Sequence, residues 1–320
     1  MMAVPHVSVI VPNYNHARFL AKRMESVLSQ TLQDFEVIVL DDASTDDSRE
    51  VIRAFADDPR VRVISNQENS GSTFKQWNKG MREARGEYMW IAESDDYADL
   101  RLLETLLCRL EEQPNAGMAY CQSCIVDEHS TPQGVLEETD MDLRHLGGDR
   151  WLHDYVGSGS DECLRFLLYH NTIANASAVV FRRSLAEKVG FADESFKICG
   201  DWLFWAGMML ETDVAFVAQP LNYFRRHGTT VRAIRTTDGY SIEESYRVIS
   251  FLASKLDLDD SILEPIRESY CGAWLWDAWC RRIGLRRQAA ICRAARKVDP
   301  RLTLRCARLI FGALGRFLQR

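Results

Sequence analysis

Two pairs of acidic residues follow apolar runs and are candidates for binding a divalent cation. Asp41 and Asp42 come directly after VIVL, and Asp95 and Asp96 come after MWIAES. Carboxylates brought close together repel each other, whereas hard divalent ions take carboxylate oxygens together with substrate phosphates. Either pair alone could instead cap a helix N-terminus, because Asp is favoured there. Two such pairs at the ends of neighbouring strands would favour a cation site.

Alternating strands and helices are predicted to position these acids. Buried-strand patterns occur at Val7–Val11, where Pro12 is expected to end the strand, and at Phe35–Leu40. Helical spacing of apolar residues lies between them, and the alternation continues to Ile91. This pattern predicts an α/β fold with a mostly parallel sheet flanked by helices. Ligands of such sheets bind beyond the carboxyl ends of the strands, which is where both acid pairs fall.

The loop after the first strand excludes two common classes of nucleotide-binding protein. Its sequence, PNYNHARF, contains neither GxGxxG nor GxxxxGK[ST]. Dinucleotide dehydrogenases and P-loop NTPases therefore lose their main support, and a diphosphate neutralised by a metal is favoured. Residues 128–160 are predicted to form a long excursion or lid. Beyond about Gly239 the pattern is helical throughout, so we expect two regions, 1–235 and 236–320.

Charge is divided unevenly along the chain. The 320 residues carry 39 Lys and Arg against 46 Asp and Glu, a formal charge of −7, and 46% hydrophobic residues exclude wholesale disorder. Arg267–Arg320 contains 13 basic and three acidic residues, a net charge of +10, which leaves −17 for residues 1–266. We expect no nucleic-acid partner, whereas the basic C-terminal helices could contact an anionic membrane. Packing of these helices on the body is the alternative.

Cysteine usage and hydropathy predict a cytoplasmic protein. Nine cysteines show no paired spacing that would suggest a disulfide framework. Cys121 and Cys124 have CxxC spacing without the second pair that a zinc site needs. The N-terminal residues lack the pattern of a signal peptide, and no run of eighteen apolar residues occurs. Association with the inner face of the cell membrane remains compatible with these features.

Several motifs in order resemble one enzyme family. SVIVPNYN, QTLQDFEVIVLDDASTDDS and NSGSTFKQWNKGMREARGEYMWIAESDD are followed by GDWLFW and YFRRHGTT. Over roughly residues 7–230, this arrangement resembles the family-two inverting glycosyltransferases, which have the A-type (GT-A) nucleotide-diphospho-sugar transferase fold. The resemblance implies a domain of that fold at 1–235, followed by a basic helical region at 236–320.

The resemblance also implies a nucleotide-sugar site and a metal site. The residues expected to bind the nucleotide sugar are Pro12, Tyr14, Asp42, Asn69, Gly71, Lys75, Asp95 and Arg226. Tyr14 would contact the base, and Asp42 would accept a hydrogen bond from the base or ribose. Asp96 and His227 would hold manganese or magnesium. Ser94 stands at the first position of the usual Asp-x-Asp motif as we align it.

A catalytic base is implied by the same resemblance. Asp201 matches the general base that removes a proton from the acceptor hydroxyl, a role that requires a carboxylate within hydrogen-bond reach of the acceptor. Its alternative role is the N-cap of the following helix. Trp202, next to this residue, is the predicted acceptor contact, because aromatic faces stack on sugar rings. The alternative is a core position, which is the commoner one for tryptophans at helical spacing.

The predicted function is transfer of a sugar from a nucleoside diphosphate donor to a hydroxyl of a saccharide or lipid-linked saccharide, in cell-surface polysaccharide or lipopolysaccharide assembly. One alternative is a non-catalytic saccharide-binding or scaffold protein on the same fold. A sugar nucleotidylyltransferase is the other, although PNYNHARF is not the glycine-rich basic loop that it would need.

Overall fold

The computed structural model describes residues 4–136, 145–173, 175–228, 239–281 and 283–318 of an α/β chain. Its strands are β1 (Val7–Asn13), β2 (Phe35–Asp41), β3 (Val61–Ser65), β4 (Tyr88–Ile91), β5 (Tyr97–Ala98), β6 (Ala116–Val126), β7 (Pro132–Val135), β8 (Tyr155–Ser158), β9 (Val179–Arg182) and β10 (Asp213–Arg225). Its labelled helices are α1 (Ala17–Leu28), α2 (Ser48–Arg53), α3 (Thr73–Glu83), α4 (Leu102–Glu112), α5 (Gly159–Glu162), α6 (Arg183–Val189), α7 (Gly200–Met209), α8 (Tyr240–Lys255), α9 (Asp260–Arg281), α10 (Leu285–Val298) and α11 (Leu302–Leu318).

One mixed sheet carries the first two-thirds of the chain, in the order β3-β2-β1-β4-β9-β6-β10-β5. Strands β1 to β4 pair in parallel, as the alternating pattern predicts, and β6 pairs in parallel with β10. Strand β9 is antiparallel to both β4 and β6 and joins the two parallel groups. The carboxyl ends of β1, β2 and β4 therefore lie along one edge, where the acid pairs follow.

The sheet is covered on both faces by helices with apolar stripes. Val7, Val9 and Val11 belong to a buried cluster that includes residues of α1 and α4. On α3, a Cβ at Gly80 would lie 2.3 Å from Cγ2 of Ile10, so the absent side chain lets this helix approach the sheet closely. Burial of β1 on both faces explains its continuous apolar run.

Strand β1 does not end at Pro12, contrary to expectation. It continues to Asn13, and Pro12 pairs with Leu40 of β2. The carbonyl of Ile10 accepts from Ala92 on the β4 side, and Pro12, two residues on, faces the same side. Pairing with β4 stops at Ile91, so the missing N–H of proline interrupts no ladder there.

The later strands are longer than their apolar runs. The sequence predicts a strand over residues 214–217, but β10 continues to Arg225, with register irregularities between Val217 and Asn222. Pro220 and the polar residues around it interrupt the hydrophobic pattern, so the sequence does not indicate that the strand continues. In the described part of the 128–160 excursion, β7 pairs with β6 and β8 pairs with β10. Residues 137–144 lie outside the described residues.

The chain divides into two compact units. The first comprises Met1–Ser195 and Phe204–His227, and the second comprises Phe196–Leu203 and Gly228–Arg320. The boundary expected at residue 235 lies outside the described residues. Helices α8 to α11 form most of the second unit, and the stretch beyond Gly239 is helical as predicted. Within the described ranges, no helix has both the length and the apolarity needed to cross a bilayer.

Candidate active site

Three side chains converge beyond the carboxyl ends of β1, β4 and β10. The ligand atoms of His16, Asp95 and His227 all lie within 4.8 Å of one another. Nε2 of His227 lies 3.0 Å from Oδ2 of Asp95, and the rings of the two histidines meet edge to face at 5.7 Å. Two imidazoles and one carboxylate form a donor set that binds divalent transition metals. The structure thus brings together Asp95 and His227 from the predicted set and adds His16.

Local hydrogen bonds fix the loop that carries His16. Asn15 adopts a left-handed conformation with φ 57°, and its Oδ1 accepts from the backbone N–H of Thr45 at 2.7 Å. Nδ1 of His16 shares a hydrogen bond of 2.9 Å with Oγ of Ser94. Such outer contacts orient a metal-binding imidazole. Ser94, at the position where the family motif usually has an acid, therefore holds the ring of His16.

Asp96, the predicted metal ligand, forms its hydrogen bonds within the protein. Asp96 is 1% exposed and points into the protein. Its Oδ2 accepts from Asn175 at 2.9 Å and from Ser177 at 2.7 Å, while its Oδ1 accepts from the backbone N–H of Arg225 at 2.9 Å. The carboxylate is committed to internal donors, so Asp95, its neighbour, is the acid that reaches the histidine pair.

Two buried arginines contact the loop that carries Asp95 and Asp96. Arg23 is fully buried, donates to the carbonyl of Glu93 at 2.8 Å and lies 3.9 Å from Oδ2 of Asp96. Arg225 donates from Nε to the carbonyl of Asp95 at 2.7 Å. Buried charges need such partners, because desolvation is costly. The guanidinium groups stabilise both the charge of the acids and the shape of their loop.

The three acids of this loop, Glu93, Asp95 and Asp96, differ in the direction in which the protein shifts their pKa. Burial opposes ionisation of Asp95, yet the hydrogen bond from His227 and the charge of His16 lower its pKa. Burial and then the charge of Asp95 raise the pKa of Asp96 to about 6 and that of Glu93 to about 8. Burial also lowers the pKa of His16, which favours the neutral imidazole that binds metals. Asp95 is thus the acid best suited to a cation.

Asp42, at the same edge of the sheet, binds the segment 66–76 through several hydrogen bonds. Its carboxylate is 4% exposed and accepts from Asn66 at 2.6 Å, from the backbone N–H of Ser70 at 2.9 Å and from Gln76 at 2.9 Å. Oγ of Ser70 donates to the same carboxylate at 2.8 Å. These bonds use the lone pairs that we expected a base or ribose to contact. Asp42 thereby holds the 66–76 segment in place.

The other predicted nucleotide residues lie around this segment. Asn69, Gly71 and Lys75 are exposed, and Gly71 has φ +68°, which favours glycine. Oδ1 of Asn69 accepts from the N–H of Gly71 at 2.7 Å, closing the turn. Tyr14 is 45% exposed at the end of β1, while Pro12 is buried in that strand. Tyr14 is therefore available to a ligand through its ring, and Pro12 is enclosed by the sheet.

The remaining predicted residues occupy contrasting environments. Arg226 is exposed after β10, and its backbone N–H donates to Val126. Asp201 is the second residue of α7. Trp202, the predicted acceptor contact, is buried, with 4% of its surface exposed.

Sequence reasoning missed His16 and Glu93. Glu93 lies two residues before Asp95, and its Oε1 accepts a hydrogen bond from Nε1 of Trp77 at 2.7 Å. An acid at Glu93 and another at Asp95 give the acid-x-acid spacing one position earlier than we aligned it. That spacing is the signal in the sequence that draws attention to Glu93 and Asp95. His16 lies in PNYNHARF, where a histidine after a strand end was a weaker signal.

Comparison with known proteins identifies the family. Residues 8–190, more than half of the chain, match the model of glycosyl transferase family 2. The chain belongs to this family. GlyG of Streptococcus pneumoniae is 43% identical over 108 residues, 33% of this chain and 36% of GlyG. The match thus spans about a third of the length of that relative.

Solved structures show the same fold. Residues 1–349 of TarS from S. aureus superpose with a TM-score of 0.68 at 19% identity, covering 92% of this chain and 82% of that one. A mannosyltransferase from Pyrobaculum calidifontis, solved with GDP-Man and Mn²⁺, gives a TM-score of 0.55 at 18% identity, covering 98% and 81%. The predicted family and the A-type fold are both confirmed.

Proposed function

We propose that this family 2 chain is a metal-dependent, inverting glycosyltransferase that uses a nucleoside diphosphate sugar. The observation that carries the proposal is the convergence of Asp95, His16 and His227 beyond the strand ends of an A-type fold. A nucleotide-sugar transferase needs a positive centre where the diphosphate departs. This cluster supplies ligands for such a centre at the edge where ligands bind in α/β sheets.

The residues present fit a divalent cation. Two imidazole nitrogens and one carboxylate oxygen suit manganese better than magnesium, which prefers oxygen ligands and retained waters. His16, Asp95 and His227 would hold the ion, and Ser94 would orient the ring of His16. When bound, the cation would neutralise charge on the diphosphate leaving group. Asp96, which is buried, would support this site through its internal hydrogen bonds.

The nucleoside diphosphate sugar would bind along the edge of the sheet formed by the carboxyl ends of β1, β2 and β4. The half-exposed ring of Tyr14 would contact the nucleoside base. Asp42 would act by fixing the 66–76 segment, so that Asn69, Gly71 and Lys75 border the nucleotide. The exposed guanidinium of Arg226 would contact the diphosphate, where charge develops on the leaving group.

Asp201 would act as the general base in a single displacement. Its carboxylate would take the proton from the acceptor hydroxyl as that oxygen bonds to the anomeric carbon. The bond from this carbon to the diphosphate breaks at the same time, and the nucleoside diphosphate leaves with both electrons. Attack opposite the leaving group inverts the configuration.

A relative supports the proposed class of acceptor. TarS is named as a poly(ribitol-phosphate) β-N-acetylglucosaminyltransferase, and its 1–349 segment has been solved with UDP-GlcNAc. The sequence match to TarS spans 24% of that protein at 28% identity. We therefore propose a hydroxyl of a cell-surface saccharide or lipid-linked saccharide as the acceptor.

A donor screen by thermal shift tests this function. UDP, GDP and a panel of their sugars would be added to the purified chain, with Mn²⁺ or with EDTA. A true donor raises the melting temperature by mass action, and the rise should require metal. Absence of any metal-dependent shift across the panel would contradict the proposal.

The base assignment has its own test. Asp201→Asn should keep metal-dependent donor binding and lose sugar transfer, because the amide cannot accept the acceptor proton. Glu211→Gln, in the turn after α7, is a control expected to retain activity. A near wild-type transfer rate for Asp201→Asn would refute this role.

The second unit provides a surface suited to an anionic membrane. Trp276 and Trp279 of α9 are 68% and 85% exposed, and Leu285, at the start of α10, is 89% exposed. Four cations of α10 have no ion-pair partner within 4.0 Å among the described residues: Arg286, Arg293, Arg296 and Lys297. Exposed tryptophans together with exposed cations are features of helices that contact bilayers with anionic headgroups. The proposed reaction would then take place at the inner face of the cell membrane.

This surface lies on α9 and α10, two of the basic C-terminal helices that the sequence suggested. In α11, Leu302 and Arg305 are buried, and Arg305 pairs with Asp299 and Glu264 within the second unit. Trp276→Ser with Trp279→Ser should reduce binding to phosphatidylglycerol vesicles, with phosphatidylcholine vesicles and Leu304→Ser as controls. Undiminished binding of the double variant to the anionic vesicles would exclude the surface.

A further inference from the structure

Glu244 of α8 holds the chain that leads into α7. The side chain is 2% exposed, and its carboxylate accepts from three successive backbone N–H groups. Oε1 accepts from Lys197 at 2.7 Å, and Oε2 accepts from Ile198 at 2.9 Å and from Cys199 at 2.8 Å. Asp201 follows two residues after the last of these donors. All of these residues belong to the second unit.

Two further contacts hold the same segment against α8. The guanidinium of Arg247 lies over the ring of Phe196 at 3.7 Å from its centroid. Sγ of Cys199 lies 3.9 Å from the carbonyl oxygen of Ser241. Residues Ser241, Glu244 and Arg247, over about two turns of α8, therefore contact the segment Phe196–Cys199, and Glu244 is the middle one of the three.

A buried carboxylate is a costly way to satisfy these donors. A helix start is commonly capped by a local Ser, Thr, Asp or Asn, at little desolvation cost. Here the acceptor comes from 45 residues further along the chain, and a carboxylate loses much of its hydration when it is buried. Three charge-assisted hydrogen bonds offset that loss and restrict the backbone that leads into the first turn of α7. The negative charge is also favourable at a helix N-terminus.

We propose that Glu244 is a positioning residue that sets the placement of Asp201 through the backbone of residues 197–199. This inference rests on the proposed role of Asp201 as the general base. A small displacement of a catalytic group costs a large rate factor, on the order of 100-fold for about 1 Å. Glu244 thus gives the C-terminal helical region a part in the transfer reaction, separate from any membrane contact.

Steady-state kinetics of two variants and a matched control test the proposal. Glu244→Gln removes the charge and one acceptor, and Glu244→Asp keeps both oxygens on a shorter side chain. Glu243→Gln is the control, since this neighbour on α8 pairs with Arg287 rather than with residues 197–199. The assay follows nucleoside diphosphate release from whichever of UDP-glucose, UDP-galactose, UDP-N-acetylglucosamine and GDP-mannose the wild-type chain turns over fastest.

The expected result is a split between turnover and binding. Glu244→Gln should lower kcat by about 10- to 100-fold, with the Kd for UDP and Mn²⁺ unchanged. Glu244→Asp should retain part of the rate, and Glu243→Gln should retain all of it. Hydrogen exchange of amides 197–199 should accelerate in Glu244→Gln and not in the control. Wild-type kcat in both Glu244 variants would overturn the proposal even if one of them folded poorly.

A double-mutant cycle with Asp201→Asn separates positioning from general stability. If Glu244 acts through Asp201, Glu244→Gln should change the residual rate of Asp201→Asn little. An equal fold-loss in both backgrounds would overturn the proposal while leaving Asp201 as the base. Wild-type turnover by Asp201→Asn would instead refute the proposed base, and with it this inference. Accelerated exchange at 197–199 would still report the contact itself.

Discussion

Ser177→Ala is expected to destabilise the first unit more than its small change in volume suggests. Ser177 is fully buried beneath the acid loop. Its hydroxyl donates to Oδ2 of Asp96 at 2.7 Å and accepts from Arg23 at 3.1 Å and from the N–H of Glu93 at 3.0 Å. A serine hydroxyl has one donor and two acceptor sites, so every site is used.

The size of the effect follows from the partners that alanine leaves behind. Two of the three bonds involve charged groups, and each such bond contributes about 1.5 kcal/mol at the lower end of its range. Asp96 keeps its bonds from Asn175 and Arg225, and Arg23 keeps its bond to the carbonyl of Glu93. These remaining contacts limit the loss, and we expect the free energy of unfolding to fall by about 3 kcal/mol.

Urea unfolding followed by tryptophan fluorescence measures this change. Trp90, which donates to the carbonyl of Ser177 at 2.8 Å, lies next to the altered site. Ser26→Ala is the matched control, because Ser26 of α1 is only partly buried and makes one bond to the carbonyl of Arg23. A loss for Ser177→Ala below about 1 kcal/mol, no larger than a typical single neutral hydrogen bond, would refute the reasoning.

Two further predictions concern the metal site and acid stability. Asp95→Asn should abolish the Mn²⁺-dependent part of the thermal shift with UDP, whereas Glu128→Gln, an exposed acid nearby, should retain it. Asp96→Asn should mainly lower thermal stability, because its donors lose a charged acceptor; equal loss of the metal response without loss of stability would contradict that division. Burial opposes ionisation of Glu36, yet its bonds from Arg85 and Ser8 lower its pKa below the unfolded value of 4.5. Its contribution to stability should therefore be complete well above pH 4.5 and decline as the pH falls below it. Urea midpoints of wild type and Glu36→Gln should converge between pH 7 and pH 3.5, and a constant difference would exclude this source of acid sensitivity.

Local sequence patterns were sufficient for the elements of the first parallel group. Runs such as Phe35–Leu40 are buried on both faces, so hydrophobicity alone marks them. Strand β10 was predicted short because its second half, from Pro220 onward, contains polar residues paired within the sheet. Asn222, for example, is fully buried and donates to Ser123 at 3.0 Å. A buried polar residue with a distant partner gives no hydrophobic signal.

The acid loop shows the same limit at the level of single residues. Asp95 and Asp96 are adjacent and chemically alike, so a motif identifies the loop without deciding which carboxylate binds a ligand. The two carboxylates differ because Asn175 and Ser177, 79 and 81 residues further along the chain, donate hydrogen bonds to Asp96. Asp95 forms its hydrogen bond with His227, which follows β10. The different hydrogen-bond partners of these two neighbouring acids thus depend on the antiparallel strand β9, since the segment leading into it carries both residues that donate to Asp96.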